Sequence, residues 1–171
     1  LVAIFAPLLT PFDPIQVRGE WRLLSPDAAH PLGTDEQGRD VLSRVLFGAR
    51  VSLYVALGTV VINTILSAVV GILSGYIGGN FDSLVQRLVD ATMAFPFLIL
   101  MLTLMMMFGS SMENLFLALG FVMGVRNSRV IRSAVLSLKE NPYIEASRAV
   151  GCSTLRVMAL HVLPNTFAHL I

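Results

Sequence analysis

Of the 171 residues, 55% are hydrophobic and 13% are charged, with a mean hydropathy of +0.75; a soluble domain carries about a quarter charged residues, so bulk water is not the main solvent expected here. The net charge of +1 is too small and too scattered for a nucleic-acid face. Cys152 is the only cysteine, which excludes an intrachain disulfide, and no Cys/His cluster has metal-ligand spacing.

The chain opens at Leu1 inside the apolar run LVAIFA, without an initiator Met or a basic flank, and apolar character is returning at Ile171. Sequence beyond both ends is therefore expected. Residues 1 to 9 read as the tail of an earlier membrane span, ended by Pro7 and Pro11. Pro11, Pro14, Pro26 and Pro31 break regular structure in the following segment, and Thr34-Asp35-Glu36-Gln37 offers a capping box from which a short helix should start. Val41, Leu42, Val45 and Leu46 share one face of that helix, and Asp40 and Arg44 are spaced to pair. It would either lie on a membrane surface or pack on neighbouring spans.

A bilayer core requires about 20 mostly apolar residues in a helix. Val51 to Phe81 is uncharged and long enough, with Gly71, Gly75, Gly78 and Gly79 in its later half and Asn63 placed to hydrogen-bond another helix. A loop from Gly78 to Asp90 follows, in which Asp90 is expected to pair with Arg87 as a structural, interfacial ion pair. Ala91 to Met112 is a second uncharged span, kinked by Pro96, and the Met105–Met107 run reads as lipid-facing or core packing. The third stretch, Asn114 to Val125, is too short alone; it must continue toward Leu138 with Arg126, Arg129 and Arg132 snorkelling to the interface. About four transmembrane segments result, one of them incomplete.

Positive charge sets the orientation. Arg126 to Arg156 holds six basic residues against two acids, and Thr10 to Arg50 holds five arginines against six acids. The former should be cytoplasmic, and residues 11–50 extracytoplasmic.

After the third span, ENPYIEASRAVGCSTLRVMALHVLPN predicts a helix from Pro142 to about Val150, capped by Asn141. Gly151 ends it at positive φ. Ser153 or Thr154 caps a second helix running to Leu163, because a residue ahead of proline is pushed out of the α region. By pattern alone a plain connector fits as well.

The residues themselves point further. Glu145-Ala146-Ser147, Gly151 and Leu163-Pro164 resemble the EAA loop of ABC importer permeases, with Ser147 in place of the usual second alanine. His161, ahead of Leu-Pro-Asn, is similar to the peptide and nickel group. HPLGTDEQGRDVLSRVLFGARVSL (His30 to Leu53) resembles the segment before the second span of those permeases; Arg87 to Leu100 and Arg129 to Gly151 extend the likeness, which is weakest at Met112 to Ser128.

The resemblance implies an all-α polytopic membrane protein, a partial type I ABC importer transmembrane domain. It would comprise residues 1–49, a span tail and extracytoplasmic segment, and residues 50–171, the transmembrane domain with a cytoplasmic coupling-helix loop. It implies partners as well: two ATPase subunits that bind ATP and Mg, a second permease subunit, an extracytoplasmic binding protein, and the bilayer of a bacterial or archaeal plasma membrane. It assigns Glu145, Ala146, Ser147, Gly151, Leu163 and Pro164 to ATPase coupling, and a di- or oligopeptide as substrate, with nickel or glutathione as alternatives.

No cofactor is expected in this chain. Lys139, its sole lysine, follows Leu138, so no Gly-Lys-Ser/Thr phosphate loop occurs, and HExxH and G-x-S-x-G motifs are absent. A non-catalytic subunit is the reading. His30 and His169 are isolated, and His161, Asp90, Arg129 and Arg132 read as structural or interfacial. Two rivals stand beside this reading: a secondary transporter, which the uncharged spans disfavour, and a membrane anchor that docks a partner and transports nothing.

Overall fold

The computed structural model describes residues 5–10 and 12–166; residues 1 to 4 of the expected span tail, Pro11 and His169 lie outside them. The chain forms two compact units, Leu1–Leu57 and Gly58–Ile171.

In the first unit a four-residue helix, α1 (Ala6–Leu9), precedes an irregular segment whose order comes from side chains. Asp35 accepts the backbone N–H of Gln37 and Arg39 (2.8 and 3.0 Å), Arg39 Nε (2.8 Å) and the Arg44 guanidinium (2.5 Å). The bonds from Arg39 and Gln37 outweigh partial desolvation and hold the Asp35 carboxyl at about 2, from an ordinary 3.8. Rings of Phe12, Trp21 and His30 cluster in edge-on and tilted contacts with centroids 4.7 to 5.5 Å apart.

The long helix α2 (Val41–Ile77) starts later than the capping box suggests. Thr34 is used otherwise: its hydroxyl donates to Trp21 O and accepts from Leu24 N–H. Asp40 takes the capping role, accepting the Ser43 N–H and hydroxyl at 2.7 Å each. Its other oxygen meets buried His30 Nδ1 at 3.0 Å, so Asp40 pairs with His30 and Ser43, not with Arg44. Burial pushes the Asp40 carboxyl up, but the bonds from Ser43 and His30 together hold it below its ordinary value. His30 is therefore a structural residue. No separate short helix exists, because nothing between Val41 and Val51 interrupts the hydrogen-bond ladder.

In the second unit α2 ends at Ile77 and α3 (Gly79–Met93) follows where a loop was expected. Its polar residues Asp82 and Gln86 point to Ser74 and Arg132, while Phe81, Leu84 and Leu88 are exposed. An apolar face turned outward and a polar face turned inward suit a helix whose outer solvent is not water.

Helix α4 (Phe97–Phe108) stands at 91° to α3. The Ala91 to Met112 stretch is thus broken, not merely kinked: Pro96 lacks an N–H, sits in an extended conformation (ψ 132) and bars Phe95 from the α region.

Helix α5 (Met112–Leu138) is continuous to Leu138 as expected, with Ser111 Oγ accepting from Asn114 N–H at its start. Its 27 residues rise roughly 40 Å at about 1.5 Å each. Among the described residues α2 alone meets a length-and-apolarity criterion for crossing a membrane, and the α3–α4 pair makes a second if counted as one bent span.

Four glycines set how α2 and α5 meet. Added Cβ atoms at Gly71 and Gly75 would lie 2.6 Å from Ile131 Cβ and 3.0 Å from Val135 Cβ. On the other helix, Cβ atoms added at Gly120 and Gly124 would lie 2.5 and 2.9 Å from the Cβ atoms of Ile62 and Leu66. Each helix thus carries a small-xxx-small stripe that receives the other's branched residues. Asn127 Nδ2 donates to Asn63 Oδ1 at 3.0 Å, which fulfils the expectation for Asn63.

Candidate functional site

The loop after α5 folds onto the end of the α2–α5 pair. Helix α6 (Pro142–Ala149) begins with Pro at its first position. Asn141 precedes it, but its side chain turns back and donates to Leu138 O (3.1 Å), finishing α5 and leaving α6 without a side-chain cap.

Ile144 is fully buried in a cluster that includes Ile72, Tyr76, Ile131 and Val135 and fixes which face of α6 looks outward. One turn later Arg148 Nε donates to the Tyr76 hydroxyl at 3.0 Å, and its guanidinium lies 4.8 Å from the centre of the Tyr76 ring. The opposite face presents Glu145, Ala146 and Ala149 to solvent.

Helix α6 stops as its sequence requires. Gly151 has φ +85, its N–H bonds Arg148 O (2.9 Å), and Cys152 N–H bonds Ser147 O (3.1 Å), the paired closure of a Schellman turn. Ser153 Oγ then accepts from Arg156 N–H at the start of α7 (Thr154–Val157).

The expected stop at Leu163 does not occur. A π-turn over Met158–Val162 leads into α8 (Leu163–Thr166), so the helix passes through Pro164. The Leu163 N–H bonds Met158 O across the wider turn, and Asn165 Nδ2 donates to His161 O (2.7 Å). His161 packs edge-on to Tyr143 at 6.3 Å, a structural placement.

The nominated residues therefore divide. Glu145, Ala146 and Gly151 lie together on the open surface. The Ser147 hydroxyl is tied to Tyr143 O (2.8 Å), and Leu163, partly buried, packs on the core; Pro164 is exposed on α8. Sequence reasoning passed over Val150 and Leu155, which are 80% and 75% exposed on either side of the glycine turn. Their signal was two apolar residues flanking a helix-ending glycine.

Asp90, Arg129 and Arg132 belong to a different arrangement. Asp90 pairs with Arg129, not with Arg87, and Arg132 makes two bonds to Asp82, one from Nε at 2.6 Å. Because α3 is a helix, it lays both carboxylates along α5, where each pairs with an arginine. Asp82 also accepts from the buried Ser74 hydroxyl, to which Gln86 donates at 3.0 Å. Lys139 Nζ meets Gly75 O at 3.4 Å, completing the end of α2.

No group of three or more His, Cys, Asp or Glu is placed to hold a metal ion among the described residues. An apolar groove of about 670 Å³ runs between α2, α4 and α5, with Asn114 the only polar residue among those lining it. It offers nothing to a charged substrate.

An exposed helix–glycine–helix loop packed through Ile144 on a bundle of apolar helices is the arrangement the structure shows. The chain belongs to the binding-protein-dependent transport system inner membrane component family, whose match covers residues 67–171. Its fold is that of part of a type I ABC importer transmembrane domain. It is 37% identical, over its whole length and 56% of the relative's, to the dipeptide transport system permease protein DppC of Alkalihalophilus pseudofirmus. Similarity to the di/tripeptide permease DppC of Pseudomonas aeruginosa is 38% (99% of this chain, 58% of the relative), and to the probable D,D-dipeptide permease DdpC of Escherichia coli 36% (100% and 57%). The chain thus spans a little over half the length of these relatives.

Proposed function

We propose that the chain is the membrane-spanning permease part of an ATP-driven importer for di- or oligopeptides. The observation that carries this reading is the loop helix α6: buried through Ile144 on one side, it holds Glu145, Ala146 and Gly151 open on the other, the surface an ATPase subunit would engage. The peptide systems named for the relatives favour a peptide over nickel or glutathione. In this reading the subunit itself hydrolyses nothing; two partner ATPases bind ATP and Mg, an extracytoplasmic binding protein delivers the peptide, and a second permease subunit completes the pore. The loop faces the cytoplasm of a bacterial or archaeal cell, and residues 11–50 face outside.

Two measurements test it. In a Cys152→Ser background, a membrane-impermeant thiol reagent should label Asp27→Cys in intact cells and Asn141→Cys only after lysis; the reverse inverts the topology and removes the reading. Next, the complete subunit, reconstituted with its ATPases and binding protein, should take up peptide only with ATP. Gly151→Val should abolish that uptake while subunit abundance stays normal. A Cβ at Gly151 meets no atom within 4 Å, so the defect comes from φ +85 alone, which a β-branched residue resists. Ala146→Trp should act likewise by blocking close approach. Normal uptake in both variants would reduce the loop to a connector.

A further inference from the structure

The contact between Arg148 and Tyr76 joins the loop helix to the last turn of α2 through a polar group on each side. Arg148 follows Ile144 by one turn of α6; the residue is exposed, like Glu145, Ala146 and Ala149, but its guanidinium is turned onto Tyr76. Tyr76 is 7% exposed and packs in the same cluster as Ile144 and Val135. The guanidinium both bonds the phenol oxygen and lies near the ring, so the contact resists sliding as well as separation.

Beyond Tyr76 the connections continue. Ser74, two residues earlier, is bonded to Asp82 and Gln86 of α3, Asp82 to Arg132 of α5, and Gly75 O to Lys139. A displacement of α6 therefore reaches the last turn of α2 through Tyr76, and the backbone of that turn carries it to the bonds that Ser74 and Gly75 make with α3 and the end of α5. Ile144 alone would provide a pivot, since apolar packing is non-directional. Arg148 fixes the angle about that pivot.

We propose that Arg148 and Tyr76 form the strut that converts movement of the loop helix into movement of α2. Arg148 is then a positioning residue for transport, acting through its bond to Tyr76; this inference rests on the coupling role given above to the loop. Weakening the strut leaves the loop docked but makes ATP hydrolysis less productive.

The test uses the complete transporter in proteoliposomes, with Arg148→Gln, Arg148→Lys and Tyr76→Phe measured beside the natural residues. Peptide uptake, ATP hydrolysis, subunit abundance and retention of the ATPase subunits are recorded for each. Arg148→Gln should lower peptide taken up per ATP about tenfold, the order of one charged hydrogen bond and one cation–π contact. Tyr76→Phe keeps the ring and should lower it about threefold, the order of one hydrogen bond. Arg148→Lys should fall between Arg148→Gln and the natural residue. The double variant Tyr76→Phe/Arg148→Gln should be no worse than Arg148→Gln, because both changes remove one contact.

Unchanged uptake per ATP in Arg148→Gln and Tyr76→Phe overturns the strut. So does a loss of abundance or ATPase retention that matches the loss of uptake in both, which would make the contact merely structural. If the unsubstituted complex shows no ATP-driven uptake, the coupling reading itself fails, and that control separates the two failures.

Discussion

The two ends of α2 are finished by polar contacts of opposite reach. At its start, Asp40, Ser43, His30, Asp35 and Arg39 lie close together in sequence, and the cap is assembled from neighbours. At its end, Gly75 and Tyr76 meet Lys139 and Arg148 from 64 and 72 residues away, while Arg132 reaches Asp82, the partner of Ser74, from 50 away. A local cap orders one segment. A long-range cap ties four helices together, so a change there should be felt across the second unit.

Removing a charge at the distant-contact end gives the largest expected effect. Arg132→Leu leaves Asp82, whose side chain is 13% exposed, without its cation, at a cost on the order of 3 kcal/mol. Removing both partners, Asp82→Leu/Arg132→Leu, should recover more than half of the lost thermal stability. Arg129→Leu is the control, since its pair with Asp90 is 40% and 62% exposed and should be worth less than about 1 kcal/mol. Equal losses at Arg129 and Arg132 would mean that position along α5, not pairing, is what matters.

A packing change in the body of the helix comes next. Gly71→Val would force a Cβ within 2.6 Å of Ile131 Cβ and 2.7 Å of Ser128 O, an overpacking of about 1–3 kcal/mol. Ile131→Ala in the same chain should relieve part of it. A purified subunit with an unshifted melting temperature in Gly71→Val would show that α2 and α5 are not held at this distance.

Acid should act on the local end. Asp35 has a folded-state value of about 2 against an ordinary 3.8, and Asp40 is lowered in the same direction. Groups depressed by folding stabilise above their unfolded value and lose that contribution as pH falls. The segment is therefore at full stability above about pH 4 and weakens on the way to about pH 2. Trp21, the only tryptophan, lies in this segment with the Arg18 guanidinium 4.1 Å from its ring centre. Its fluorescence should change over that window, and a smaller change is expected in Asp35→Asn. A flat titration down to pH 2 would detach the carboxylates from the order of the segment.

The smallest effect belongs to Asn63→Leu, which deletes one interhelical hydrogen bond to Asn127, worth about 0.6 kcal/mol in a membrane helix pair. A double-mutant cycle with Asn127→Leu should return that figure, and a coupling near zero would leave the glycine stripes as the sole determinant of the interface.

Sequence by itself determined whatever depends on the chain's own periodicity and punctuation. The uncharged run of α2, the continuity of α5 to Leu138, and the loop helix opened by Pro142 and closed by Gly151 follow from local rules, because each is set by residues a turn or two apart. Tertiary structure decided the rest. Asp82 and Asp90 were read within a loop, and only the helix α3 brings them to Arg132 and Arg129. The capping box at Thr34 lost to Asp40 because Thr34 found partners at Trp21 and Leu24. Pro96 broke a span that composition left whole, and a π-turn carried the chain through Pro164. Arg148 gave no local sign of its partner: Tyr76 lies 72 residues away, and nothing within reach of a helical turn encodes a contact made only when the loop packs back on α2.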